Sequence, residues 1–187
     1  MRRSVHTIRT IVRGVITLMA LVSLLMPGPV WAQDASTTEF KVKAVILFNF
    51  AKYVKWPDTV FESPTSNLRL CILGTNPFGA MFDDANGKST QNRTFEVATI
   101  PNASNAADLK NCQIVYVGSK DTDKYTPLLD PLHKQGVLTV SEKEKLGIVN
   151  FFIEDSKVKF GISLVKTKDS GLVISSQLLK LAKITEE

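Results

Sequence analysis

Histidine is nearly absent from this chain: of two, His6 lies in the N-terminal segment and His133 stands alone in the body. Cysteine is as scarce, with only Cys71 and Cys112. A zinc site needs several Cys or His ligands grouped at short spacings. No such cluster exists here, so no metal ligand and no cofactor is expected. The surroundings of His133, PLHKQG, contain no nucleophile motif and read as a solvated helical surface. Without a nucleophile–base pair no catalytic residue is assigned, and an exported hydrolase is the weakest reading. The acidic pairs Asp83-Asp84 and Glu154-Asp155 fall where loops are simply polar. EKEK at 142–145 alternates in sign and reads as solvated surface. A phosphate-cradling loop is missing too. GTNPFG at 74–79 lacks the second glycine that lets a pyrophosphate approach the backbone, and reads as an ordinary strand-to-helix connection.

What the chain does have begins at its N-terminus. Arg2, Arg3, Arg9 and Arg13 precede an apolar run from Val15 to Met26, then PGPVWAQ. A basic segment, a short apolar run and small residues at a cleavage site make a secretory signal peptide, expected to span 1–32 with the cut after Ala32. The apolar run falls short of the ~18 residues that span a membrane. Nothing after it is long enough either, so no membrane insertion is expected once the leader is gone. Cleavage removes four of the 23 Lys and Arg and none of the 18 Asp and Glu, which brings the net charge from +5 to +1. The basic balance therefore belongs to targeting, and a nucleic-acid partner loses its main support. About 155 residues remain, enough for one domain with a real core. In an exported chain an even cysteine count favours a disulfide, Cys71–Cys112, over two buried thiols.

The longest apolar-rich stretch beyond the leader is EFKVKAVILFNFAKYVKWP, Glu39 to Pro57. It reads as a helix opened by a Ser36/Glu39 capping box and ended near Lys55, because Pro57 disfavours helical geometry at Trp56. Residues 33–38 before it are expected to be frayed. At 100° per residue, Lys41, Lys52 and Lys55 share an arc of roughly 60°, with apolar residues around nearly all the rest. Phe48 lies inside that lysine stripe, where a large apolar group has no evident structural reason to be. Phe48, Lys52 and Lys55 are therefore the candidate partner-binding residues. Asn49 projects into the apolar arc and is expected to tie the helix to a loop backbone.

Further on, LRLCIL (68–73), residues 94–100, 114–117 and 137–140 read as strands. Between them stand expected helices over 77–85, 104–110 and 122–134, the last broken by Pro127 and Pro131. Two strands around Asp155-Ser156 suggest an antiparallel hairpin, and a closing helix is capped by Ser175 or Ser176. The pattern predicts an α/β fold, a three-layer single domain with a mixed central sheet and a C-terminal hairpin and helix.

VKAVILFNFAKYVKWP, LRLCILGTNPFG, IVNFF and GLVISSQLLKLAKI, in this order and spacing, resemble the YfiR family of periplasmic proteins across residues 39–184. The resemblance implies a periplasmic regulator without enzyme activity. Such a protein would bind the periplasmic part of an inner-membrane diguanylate cyclase (YfiN in the best-known relatives) or a related sensor, and hold it inactive. Lower cyclic di-GMP and less biofilm would follow. It also implies a homodimer, and it places Cys71 and Cys112 where the family has a structural disulfide. A second cysteine pair known in the family is absent here, so redox sensing through that pair does not carry over. The alternative reading is a periplasmic small-molecule binder that relays occupancy to a membrane sensor kinase.

Overall fold

A computed structural model describes residues 31–186, and side chains from residue 36 onward. The expected leader lies almost wholly outside the described residues. Helix α1 (Trp31–Tyr53) starts before the expected Ser36/Glu39 box, so residues 33–38 have helical backbone. The compact unit begins at Thr38. Among the described residues no helix is long and apolar enough to cross a membrane.

α1 ends at Tyr53 and the chain turns into β1 (Val54–Lys55), which pairs antiparallel with β9 (Val173–Ile174). The last helical carbonyls, which have no partner within a helix, are taken from outside. Gln91 Nε2 donates to the carbonyls of Ala51 and Val54, each at 2.7 Å, and Ser175 N donates to that of Tyr53. Gln91 and Asn92, at φ 50° and 63°, form the tip of the hairpin between β3 (Ser89–Thr90) and β4 (Arg93–Ile100).

The main sheet adds β2 (Leu68–Leu73), β5 (Ile114–Val117), β6 (Leu138–Ser141), β7 (Val149–Glu154), β8 (Lys157–Ser163) and β10 (Lys183–Thr185). Its order is β10-β8-β7-β6-β5-β2-β4-β3. The run β6-β5-β2-β4 is parallel, whereas β7–β8 and β3–β4 are antiparallel. The expected mixed sheet is thus present.

Alternation along the central strands builds two cores. Leu70, Ile72, Ile114 and Tyr116 face Leu47 and Phe50 of α1, while Cys71, Leu73, Val115 and Val117 face Leu129 and Leu132 of α2 (Thr122–Lys134). Helix, sheet and helix therefore form three layers, each apolar strand face covered by one helix.

Several elements differ from expectation for local reasons. Residues 77–85 form successive turns rather than a helix, because Gly79 takes φ 52° and Asn76 Oδ1 accepts from Phe78 N as an Asx turn. Pro127 and Pro131 do not break α2, since both lie on its exposed side, where water can satisfy the freed carbonyls. Asn105 caps a 3-10 turn, Ala106–Leu109, through a full capping box. The closing helix shrinks to one turn, α4 (Ser176–Leu179), capped by Ser175, and it leads into the unexpected edge strand β10. A further short helix, α3 (Leu164–Asp169), follows β8 directly.

Cys71 and Cys112 are bonded, with Cα atoms 5.8 Å apart and a sequence separation of 41. The bond ties β2 to the segment just before β5 on the α2 side and should contribute about 4 kcal/mol through the entropy of the closed loop. Urea unfolding with and without dithiothreitol should differ by about that amount.

His133 is not solvated as expected: it is 5% exposed on α2, where that helix packs on α3, and its Nε2 has no hydrogen-bond partner among the described residues. Burial, with help from the Lys166 ammonium, pulls its pKa from the ordinary 6.5 to about 4, against the opposing pull of Asp130. The unfolded chain binds this proton first, so stability falls as pH drops from about 6.5 to about 4 and levels off below. The loss should reach up to about 3 kcal/mol. His133→Leu should flatten that part of the stability–pH curve.

Candidate functional site

α1 buries one side deeply, with Leu47, Phe50 and Ala51 all fully covered, and Val54 of β1 continues that wall. Phe50 packs between Phe151 and Phe160 at ring-centroid distances of 6.2 and 5.4 Å. Beside this apolar wall sits a charged residue, Lys43, only 4% exposed. Its ammonium donates to Glu39 one turn back and to Glu142, at 2.5 Å each, and lies 4.9 Å from the Phe40 ring centroid. The Tyr116 hydroxyl and Ser119 N also donate to Glu142. Burial raises the Glu142 pKa, but hydrogen bonds from Lys43 and Tyr116 outweigh it and keep the carboxyl below its usual range. The Tyr116 hydroxyl is pushed far up by burial and by Glu142.

Glu142 therefore does not belong to a solvated EKEK surface. It ties α1 to β5 and to the connection after β6. Neither Lys43 nor Glu142 was singled out from the sequence, because a lysine in an amphipathic helix and a glutamate in a charged loop look ordinary. The available signal was angular: Lys43 stands outside the arc shared by Lys41, Lys52 and Lys55.

The other side of α1 is open. Val42, Val45 and Tyr53 are 40%, 62% and 39% exposed, and recur at helical spacing along one stripe. Leu181, 71% exposed, extends the apolar surface beyond α4. Between them lies a hollow of about 230 Å³ lined by Ile46, Asn49, Tyr53, Phe160, Gln177 and Leu181, among others. The Asn49 side chain makes no hydrogen bond within the described residues and lines this hollow, instead of tying the helix to a loop backbone as expected.

Phe48 has a structural reason after all. It is half-buried, and its ring meets that of Phe95 edge-to-face at 5.0 Å. Lys52 lies over its outer face at 4.5 Å, and Lys52 and Lys55 are both exposed. The face is thus an apolar stripe bordered by Lys41 and Lys52, with Phe48 serving as its anchor to the core.

The crevice where this strand order changes direction, between the carboxyl ends of β2 and β5, is where open α/β sheets seat ligands. Here Asp121 occupies it. Its Oδ2 accepts from Thr75 N at 2.9 Å, and a Cβ added to Gly74 would fall 2.4 Å from the carboxylate carbon. GTNPFG is a plain connection sealed by a carboxylate.

The geometry separates two neighbours on α1. Val45→Glu should leave stability within about 0.5 kcal/mol. Phe48→Glu should cost about 2–4 kcal/mol, since it removes a core-facing aromatic and places a charge against Phe95. Urea denaturation of both variants checks the contrast.

Comparison with known proteins places the chain. No curated protein matches it. A family model described as YfiR/HmsC-like matches residues 40–183, from the buried half of α1 to the start of β10. That span takes in α1 from Phe40 onward, the disulfide and the sealed crevice, and the chain belongs to the YfiR/HmsC-like family.

Proposed function

We propose that this protein is a periplasmic regulator, exported by a cleaved leader. It binds the periplasmic part of an inner-membrane diguanylate cyclase and holds that enzyme inactive, lowering cyclic di-GMP and biofilm formation. It works as a binding protein and not as an enzyme.

The observation that carries this reading is the uncovered stripe of Val42, Val45 and Tyr53 with Leu181, in a chain of this family. A contiguous apolar surface rimmed by polar groups marks an interaction site. Lys41, Lys52 and Lys55 beside it favour an acidic border on the partner. Phe48 contributes indirectly, by fixing Lys52 above its ring.

A periplasmic protein reaches a cytoplasmic active site only by shifting a conformational equilibrium across the membrane. It must therefore bind the inactive state of the cyclase more tightly than the active one. Moving that equilibrium from mostly active to mostly inactive takes a difference of about 5.5 kcal/mol. A desolvated apolar face can supply a difference of that size where scattered surface charges, at about 0–1 kcal/mol each, do not.

Deleting the gene in its native host should raise cellular cyclic di-GMP several-fold, as measured by mass spectrometry of nucleotide extracts. Restoring the wild-type gene should reverse the rise. Val45→Glu, expressed at the same level, should not. An unchanged cyclic di-GMP level on deletion would overturn the proposal.

A further inference from the structure

A second surface, sharing no residue with the α1 stripe, holds an arginine whose binding capacity is mostly unused. Among the described residues there are two arginines, and they are treated differently. Arg69 is spent on Glu96, to which both Nε and Nη2 donate. Arg93 meets no carboxylate within the described residues. Its Nη1 donates to the carbonyls of Ser63 and Ser66 at 3.1 and 2.8 Å, and its guanidinium carbon sits 3.5 Å from the Phe61 ring centroid. The group is half-buried, pinned at one end and stacked on an aromatic face. Nε–H and the Nη2 hydrogens, the edge that grips a carboxylate through two parallel bonds, remain without a partner.

That guanidinium lines a cleft of about 560 Å³ between the segment after α1 and the β3–β4 hairpin, a volume in the range of small-molecule sites. Three further features of the lining describe the ligand. The Trp56 indole is held in place by its N–H bond to the Gln113 carbonyl at 3.1 Å, so its ring serves as a fixed platform. Asp58 supplies hydrogen-bond acceptors, and Glu62, whose Oε1 lies 3.4 Å from the Lys110 ammonium, adds a partly engaged carboxylate. Asn92 stands on a hairpin tip locked by the two bonds from Gln91 to the end of α1, and brings both a donor and an acceptor.

A purely apolar ligand would leave these polar groups unsatisfied. A phosphate, with its greater charge, would be repelled by Asp58 more strongly than a single carboxylate. A molecule with one carboxylate, several hydroxyls and an apolar ring face satisfies all of them. We propose that this cleft binds an acidic saccharide, with the carboxylate on Arg93, the hydroxyls on Asp58, Glu62 and Asn92, and the sugar ring against Trp56. Two sources carry this chemistry: uronic acids of surface polysaccharides and the lactyl-bearing amino sugar of cell-wall glycan.

The test uses the exported chain, in which removal of the leader with Trp31 leaves Trp56 as the sole tryptophan. Its fluorescence is titrated with digalacturonate, with an N-acetylmuramate-containing disaccharide, and with neutral chitobiose. At least one acidic sugar should shift the Trp56 emission and saturate, binding tenfold or more tightly than chitobiose. Saturation by digalacturonate alone assigns the surface polysaccharide, by the muramyl sugar alone the cell wall, and by both a general carboxylate preference. Arg93→Lys keeps a cation but loses the two-bond edge, and should weaken the acidic sugar about tenfold or more. Asp58→Ala, at an exposed site, should weaken acidic and neutral sugars alike. Equal binding of chitobiose, undiminished binding by Arg93→Lys, or no saturation by either acidic sugar overturns the proposal.

Discussion

The arrangement of this molecule depends on one buried ion pair, Lys43 with Glu142. An ammonium that is 4% exposed is stable only where its charge and all its donors are met. Glu142 meets the charge, Glu39 shares it, and Tyr116 and Ser119 supply the remaining bonds to the carboxylate. Removing either partner alone would strand a buried charge, which typically costs about 3–5 kcal/mol. The pair therefore sets the rotation of α1 about its own axis. Aromatic packing around Phe50 tolerates small rotations, whereas a buried ammonium seated between two carboxylates does not.

The open stripe is a consequence of that rotation. With Lys43 pointed at the strand ends and Leu47 and Phe50 into the core, Val42, Val45 and Tyr53 have nowhere to go but outward. Nothing in the local sequence of the stripe makes it exposed; the opposite side of the helix does. Phe48 reaches the core from the flank, meeting Phe95 on β4, and so belongs both to the fold and to the border of the free face. The closing turn α4, through Leu178, and Leu181 just after it supply a second wall. Elements from the two ends of the chain thus meet at one surface.

Periodicity made the central architecture legible. Short apolar runs gave β2, β5 and β6, the first two ended by Gly74 and Gly118, and the Asp155-Ser156 turn gave the β7–β8 hairpin. Where one residue's backbone angle decides, the pattern was silent: Gly79 turns a helical composition into successive turns, and the exposure of Pro127 and Pro131 lets α2 continue. The site was less legible. Lys43, Glu142 and Tyr116 are far apart in sequence, and each is ordinary where it stands. His133 sits in a polar stretch yet is covered by α3, an element with no signal of its own. Phe48 was noticed for the right reason, its angular position, but that position is filled by a strand that helix geometry alone does not reveal.

The carboxylate of Asp121 beside Gly74 has a wider meaning. Folds of this strand order usually keep that notch vacant, and evolution returns to it repeatedly to install new ligands. Here the notch is stoppered from within by a side chain that also bonds the Thr75 amide. In this chain the standard berth of the topology gives way to a junction between two neighbouring strand ends. The open surfaces of the described residues lie instead on the flank of α1 and beside the β3–β4 hairpin tip.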